Sequence, residues 1–142
     1  MRAIRWVLAA ACAAWGLINL VPLAVTFGTK AGWMRLPPEL ARLPELTQAL
    51  SWWQVAIWAV MIALYLFVAW RLTRGRGALG AFVLAFAVEL ARWLPMQALP
   101  VYRKVFTHAE LQERYAAFGV LAVIGILIWL TERRGAPSPS NE

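Results

Sequence analysis

The sequence predicts an all-α integral membrane protein: a four-helix transmembrane bundle with a short amphipathic surface helix in its first outer loop. Three observations carry that prediction. Of 142 residues 62% are hydrophobic, where an ordinary soluble domain runs near about half. Three apolar stretches are long enough to cross a hydrocarbon layer, which takes about 20 residues at about 1.5 Å each, and a fourth becomes so once its helix start is placed. Nine tryptophans gather mostly at the ends of these stretches, where an indole satisfies both lipid and water.

The expected single domain covers residues 1–134, and its spans are 6–27, 52–70, 79–99 and 108–131. The tail 135–142, "GAPSPSNE", has no apolar face and is expected to be disordered. The opening "MRAIRWVLAAACAAWG" also has the outline of a secretory signal. Its apolar run continues past Gly16 to Val25, longer than a signal core of about 7–15 residues, so it reads as the first span. Within it Ala9, Cys12 and Gly16 form a row of small residues that ends at Asn19.

The first outer loop contains "LPPELARLPELTQAL", with Leu36, Leu40, Leu43 and Leu50 near helical spacing and Glu39, Arg42 and Glu45 between them. Pro44 interrupts the pattern, so one or two amphipathic turns are expected, their leucines against lipid or the bundle. The second span ends in "RLTRGRG", a compact basic turn. The third carries "AVELARWLP" at 87–95, and Pro95 and Pro100 are expected to break it near its outer end. The fourth starts at "THAE", a capping box of hydroxyl and carboxylate three residues apart.

Basic residues set the orientation. With the N terminus inside, Arg2, Arg5, Arg71, Arg74, Arg76, Arg133 and Arg134 lie inside, whereas Lys30, Arg35, Arg42, Arg103, Lys104 and Arg114 lie outside. The counts are close, but three arginines in one short turn favour both termini in the cytoplasm, in a bacterial inner membrane. A formal charge of +7 then points to anionic lipid headgroups as partners. The arginines flank spans and form no single basic face, so nucleic acid is not expected.

Trp6, Trp33, Trp52, Trp53, Trp70 and Trp129 fall near span boundaries and read as anchors, whereas Trp15, Trp58 and Trp93 lie deeper. The face of the third span that carries Glu89 also holds Ala78, Ala81, Ala85, Arg92 and Met96. Small residues in such a row admit a neighbouring helix, so the charges are expected to point into the bundle. Ala85 and Gly119 are read as close-packing positions. Counted from the span ends, Asn19 and Arg92 lie about 20 Å deep and Glu89 about 15 Å, with Trp58 about 9 Å from the opposite side. Gln54 and Tyr115 come out above them, near the mouth of an outward-facing polar pocket.

Charges in hydrocarbon cost about 2.5–3.5 kcal/mol each on insertion scales, so such residues are candidates for function. The candidate ligand- or ion-binding set is Glu89, Arg92, Asn19, Trp58, Gln54 and Tyr115. The plainer expectation is a structural ion pair at i, i+3, with Arg92 reaching for the outer headgroups and Glu89 bonded to Asn19 or Trp58.

One histidine (His108) and one cysteine (Cys12) exclude bis-histidine haem ligation and an internal thiol–disulfide cycle. His108 with Glu110 reads as a helix start, not a metal site. No glycine-rich phosphate loop or nucleophile elbow is present, and no cofactor or catalytic residue is expected. The first functional expectation is a small non-enzymatic accessory subunit that packs against other membrane proteins. The second is a transporter or ligand-binding protein that uses the pocket at Glu89 and Arg92. The third is a membrane enzyme acting on a lipid or isoprenoid, with Glu89 as its acid or base.

Overall fold

Apolar runs with few polar side chains have no partner for their backbone groups except one another, so they fold as helices. The computed structural model describes residues 2–37 and 42–134. Its helices are α1 (Arg2–Lys30), α2 (Arg42–Ala49), α3 (Trp52–Thr73), α4 (Leu79–Gln97), α5 (Pro100–Val105) and α6 (His108–Arg133), with no strand among the described residues. Helices α1, α3, α4 and α6 are long and apolar enough to cross a membrane. The tail 135–142 lies outside the described residues.

The long helices alternate in direction. Helix α1 packs along α3, α3 along α4, and α4 and α1 both touch α6, which closes the ring. The small-residue row of α1 faces α3: Ala9, Cys12 and Gly16 are buried. At Gly16 an added Cβ would come within 3.5 Å of the Ile62 carbonyl oxygen. Of the face predicted to turn inward, Ala85, Glu89, Arg92 and Met96 on α4 and the preceding Ala78 are buried, while Ala81 is half-buried. The outward faces are apolar, with Leu17, Ile18 and Val21 on α1 and Val120, Val123 and Ile126 on α6 exposed. Such a surface suits hydrocarbon better than water.

Two of the four long helices, α1 and α3, exit through glycine for the same reason. After α3, Gly75 takes φ +67°, which lets Gly75 N–H donate to Leu72 and Arg76 N–H to Arg71. After α1, Gly32 takes φ +77°, with its N–H on Thr29 and that of Trp33 on Gly28. This pairing satisfies carbonyls that end a helix, and only glycine adopts that conformation without strain.

At the arginine end, Arg5 Nη1 donates to the Gly75 carbonyl at 3.5 Å. The N-terminus of α4 begins at Ala78, which has no side chain to cap it. Glu132 of α6 supplies that cap, accepting from the backbone N–H groups of Ala78 and Leu79. A carboxylate there also meets the positive end of the helix dipole. The first and last described residues therefore lie at the same end of the bundle.

The far end differs from expectation in two places. Pro95 does not break α4, which runs on to Gln97, and Pro100 opens the unforeseen α5. A proline at the first helical position loses no bond, because that N–H has no intrahelical partner. Helix α2 covers part of the predicted amphipathic stretch and holds Pro44 in its first turn. Leu46 and Leu50 turn toward protein and form a second small core with Met96, Tyr102 and Val105. Glu39 and Leu40 lie outside the described residues.

One packing expectation is corrected. Gly119 faces outward, with nothing within 4 Å of an added Cβ. The close approach of α6 is at Gly125, where a Cβ would stand 2.7 Å from Phe82 Cε1.

Candidate functional site

The far half of the bundle contains the polar chemistry. Glu89 lies on α4 and is only 2% exposed. From α1, Trp15 Nε1 donates to its two oxygens at 3.1 and 3.2 Å. From α3, the Tyr65 hydroxyl donates to Oε2 at 2.5 Å. One carboxylate thus ties three helices together through charge-assisted bonds, which are shorter and stronger than neutral ones.

Arg92, one turn further along α4, is 3% exposed. The expected ion pair does not form: among the described residues no carboxylate lies within 4.0 Å of its guanidinium. Glu89 has given its oxygens to Trp15 and Tyr65, so the two side chains serve different partners. The guanidinium Cζ lies 4.6 Å from the centroid of the Trp58 ring, a cation–π contact that desolvation strengthens. Among the described residues its Nη1 meets only the weak acceptor Met96 Sδ at 3.6 Å, and its Nε has no hydrogen-bond partner. Arg92 does not reach for headgroups at the surface.

Asn19 links the two groups. It accepts from Trp58 Nε1 at 3.3 Å and donates to the Trp15 carbonyl at 2.9 Å. Neither Asn19 nor Trp58 bonds Glu89, contrary to expectation.

These residues border a cleft of about 380 Å³ between α1, α4 and α6, within the range of about 300–1,000 Å³ typical of small-molecule sites. Trp15, Ile18, Asn19 and Pro22 form one wall, and Glu89, Arg92 and Trp93 lie on α4 at its back. Phe106, Glu110, Glu113, Arg114, Ala117 and Phe118 complete it from the α5–α6 turn and the first turns of α6. Pro22 lies inside α1, where its missing N–H leaves the Ile18 carbonyl without its helical donor. Trp93 is fixed by its indole N–H on the Tyr102 hydroxyl at 3.2 Å and by the Phe118 ring at 4.8 Å.

Of the residues singled out from the sequence, Glu89, Arg92 and Asn19 line the cleft, and Trp58 backs Arg92. Gln54 does not: its side chain accepts from Ser51 N–H at 2.8 Å and closes the capping box of α3. Tyr115 is 55% exposed and packs edge-on to Trp93 from outside the cleft. Sequence reasoning missed Tyr65 and the role of Trp15. A phenol in mid-span must find a partner for its hydroxyl, and that signal was available. Among the described residues no group of three histidine, cysteine or acidic side chains is placed to hold a metal. Comparison with protein-family models, curated proteins and solved structures finds no match to this chain.

Proposed function

We propose that this chain is a small membrane-embedded protein that binds a ligand in the cleft between α1, α4 and α6. The observation that supports this reading most is the buried guanidinium of Arg92, which borders that cleft with no carboxylate partner among the described residues. A structural ion pair would have closed on Glu89, one turn away, and offset the cost of burying both charges. The bundle instead satisfies Glu89 with Trp15 and Tyr65 and leaves Arg92 with a ring face and a thioether. The outward apolar faces need only lipid to cover them, so the accessory-subunit reading gains nothing specific from them.

In the proposed orientation the arginine end faces the cytoplasm of a bacterial cell and the cleft opens on the outer side, following the basic turn at 71–76. Anionic headgroups of the inner leaflet then meet Arg2, Arg5, Arg71, Arg74 and Arg76. A cysteine replacing Lys104, in a Cys12→Ala background, should react with an impermeant thiol reagent added outside, and one replacing Gly75 should not. The reverse pattern would invert the orientation.

Native mass spectrometry of the full chain, extracted from its own membranes in mild detergent, tests the binding itself. The expected spectrum shows a discrete non-protein mass on the chain, lost on exhaustive detergent washing together with part of the thermal stability. A bare chain accompanied only by another polypeptide would replace this reading with the accessory-subunit one.

A further inference from the structure

We infer that the cleft ligand carries an acidic group, a phosphate or a carboxylate, and that Arg92 is the residue that holds it. This rests on the ligand-binding reading above and names the chemistry of that ligand. Two charged groups border the back of the cleft, and they differ in what they have left to offer. Both Glu89 oxygens already accept bonds, from Trp15 and Tyr65. Arg92 is only 3% exposed, yet among the described residues its Nε is unpartnered and its only hydrogen bond goes to a sulfur.

A guanidinium presents five donors in a planar fork that matches two oxygens of a carboxylate or phosphate. The cation–π contact with Trp58 holds the guanidinium beside the cleft. Away from water an acidic group on this fork gains a charge-assisted bond that no solvent-exposed arginine offers. The wall also carries acids, so it is the unused donors of Arg92, and not the formal charge of the cleft, that favour an anion. Glu110 accepts from Thr107 N–H and hydroxyl in its own capping box, and Glu113 is exposed on α6, where water and salt screen it. Arg114, also on the cleft wall, adds a second cation.

The shared chemistry admits two sources, the headgroup of an amphiphile whose chain leaves between α1 and α6, or a free anion from the water. The experiment uses the full chain in neutral maltoside detergent, with Ala117→Cys in a Cys12→Ala background. The rate of alkylation at that cleft position reports occupancy. Dodecyl phosphate should slow it, and its apparent affinity should fall by about ten- to a hundredfold in Arg92→Met, as expected for a lost bond to a charged group. Arg103→Met, outside the cleft, should leave it unchanged. Arg92→Lys keeps the charge without the fork and should fall between the two, which covers the case in which Arg92→Met loses its helical circular dichroism.

Protection by inorganic phosphate as well would assign a free anion, and protection by dodecyl phosphate alone a headgroup; either supports the inference. Stronger protection by dodecyltrimethylammonium, or equal protection by dodecyl phosphate with and without the arginine, overturns it while the ligand-binding reading stands. If no probe slows alkylation, both fall.

Discussion

The two halves of this bundle solve the burial problem in opposite ways. Toward the arginine end the core is apolar and tight: Leu8, Ala9, Cys12, Val68, Leu72, Phe82 and Ile128 are buried together, and Gly125 lets α6 approach the Phe82 ring. Toward the far end the same four helices enclose Glu89, Arg92, Asn19 and three indoles around a cleft. The tryptophans divide by depth instead: Trp6 and Trp70 at the arginine end and Trp52 and Trp53 at the far end are exposed, whereas Trp58 and Trp93 are buried. Tyr65 stands at the junction, its ring against Phe82 and its hydroxyl on Glu89. The difference teaches that the two charges of the site half serve different ends: Glu89 ties three helices together, whereas Arg92 is left without a matching partner among the described residues.

The comparison is broken most severely at Glu89. Glu89→Leu strips the acceptor from Trp15 and Tyr65 at once and leaves buried donors without partners, so it should cost about 3–5 kcal/mol, read by thermal unfolding in micelles. Next comes the tight half: Gly125→Leu drives a side chain into Phe82 and should cost about 1–3 kcal/mol or more by the same measurement. Tyr65→Phe removes one charge-assisted bond and no packing volume, for a loss of about 1.5–3 kcal/mol. Glu132→Ala uncaps α4 and should cost about 0.5–2 kcal/mol, with faster amide exchange confined to its first turn. At the bottom of the scale, Gly119→Leu meets open space and should stay within about 0.5 kcal/mol. If Gly119→Leu proved more damaging than Gly125→Leu, α6 would be rotated relative to the arrangement described.

The tight half was legible because it follows from periodicity and length. The spans predicted at 6–27, 52–70, 79–99 and 108–131 correspond to Arg2–Lys30, Trp52–Thr73, Leu79–Gln97 and His108–Arg133. The capping box at Thr107 is present, with Glu110 N–H on the threonine oxygen at 3.3 Å. The site half was legible only in its members. That Glu89 and Arg92 are buried follows from the apolar run around them. That they do not pair follows from Trp15 and Tyr65, which are 74 and 24 residues away along the chain and reach Glu89 only through the packing of α1 and α3 on α4. Spacing along one helix overstated the i, i+3 pair for that reason. Helix α5 was hidden behind a proline read as a breaker when it marks a start. Gln54 and Tyr115 were placed by depth alone, and depth along a helix says nothing about which way a side chain turns.

The charges at Glu89 and Arg92 serve either a ligand or the fold alone. The most direct test is the charge-free double variant Glu89→Gln with Arg92→Met, which keeps hydrogen-bonding groups beside Trp15 and Tyr65 and leaves no uncompensated ion. Helical circular dichroism and native mass spectrometry are measured on the same preparation. The expected result is a folded bundle from which the bound acidic mass is gone. A folded double variant that keeps that mass as fully as the unaltered chain would contradict it.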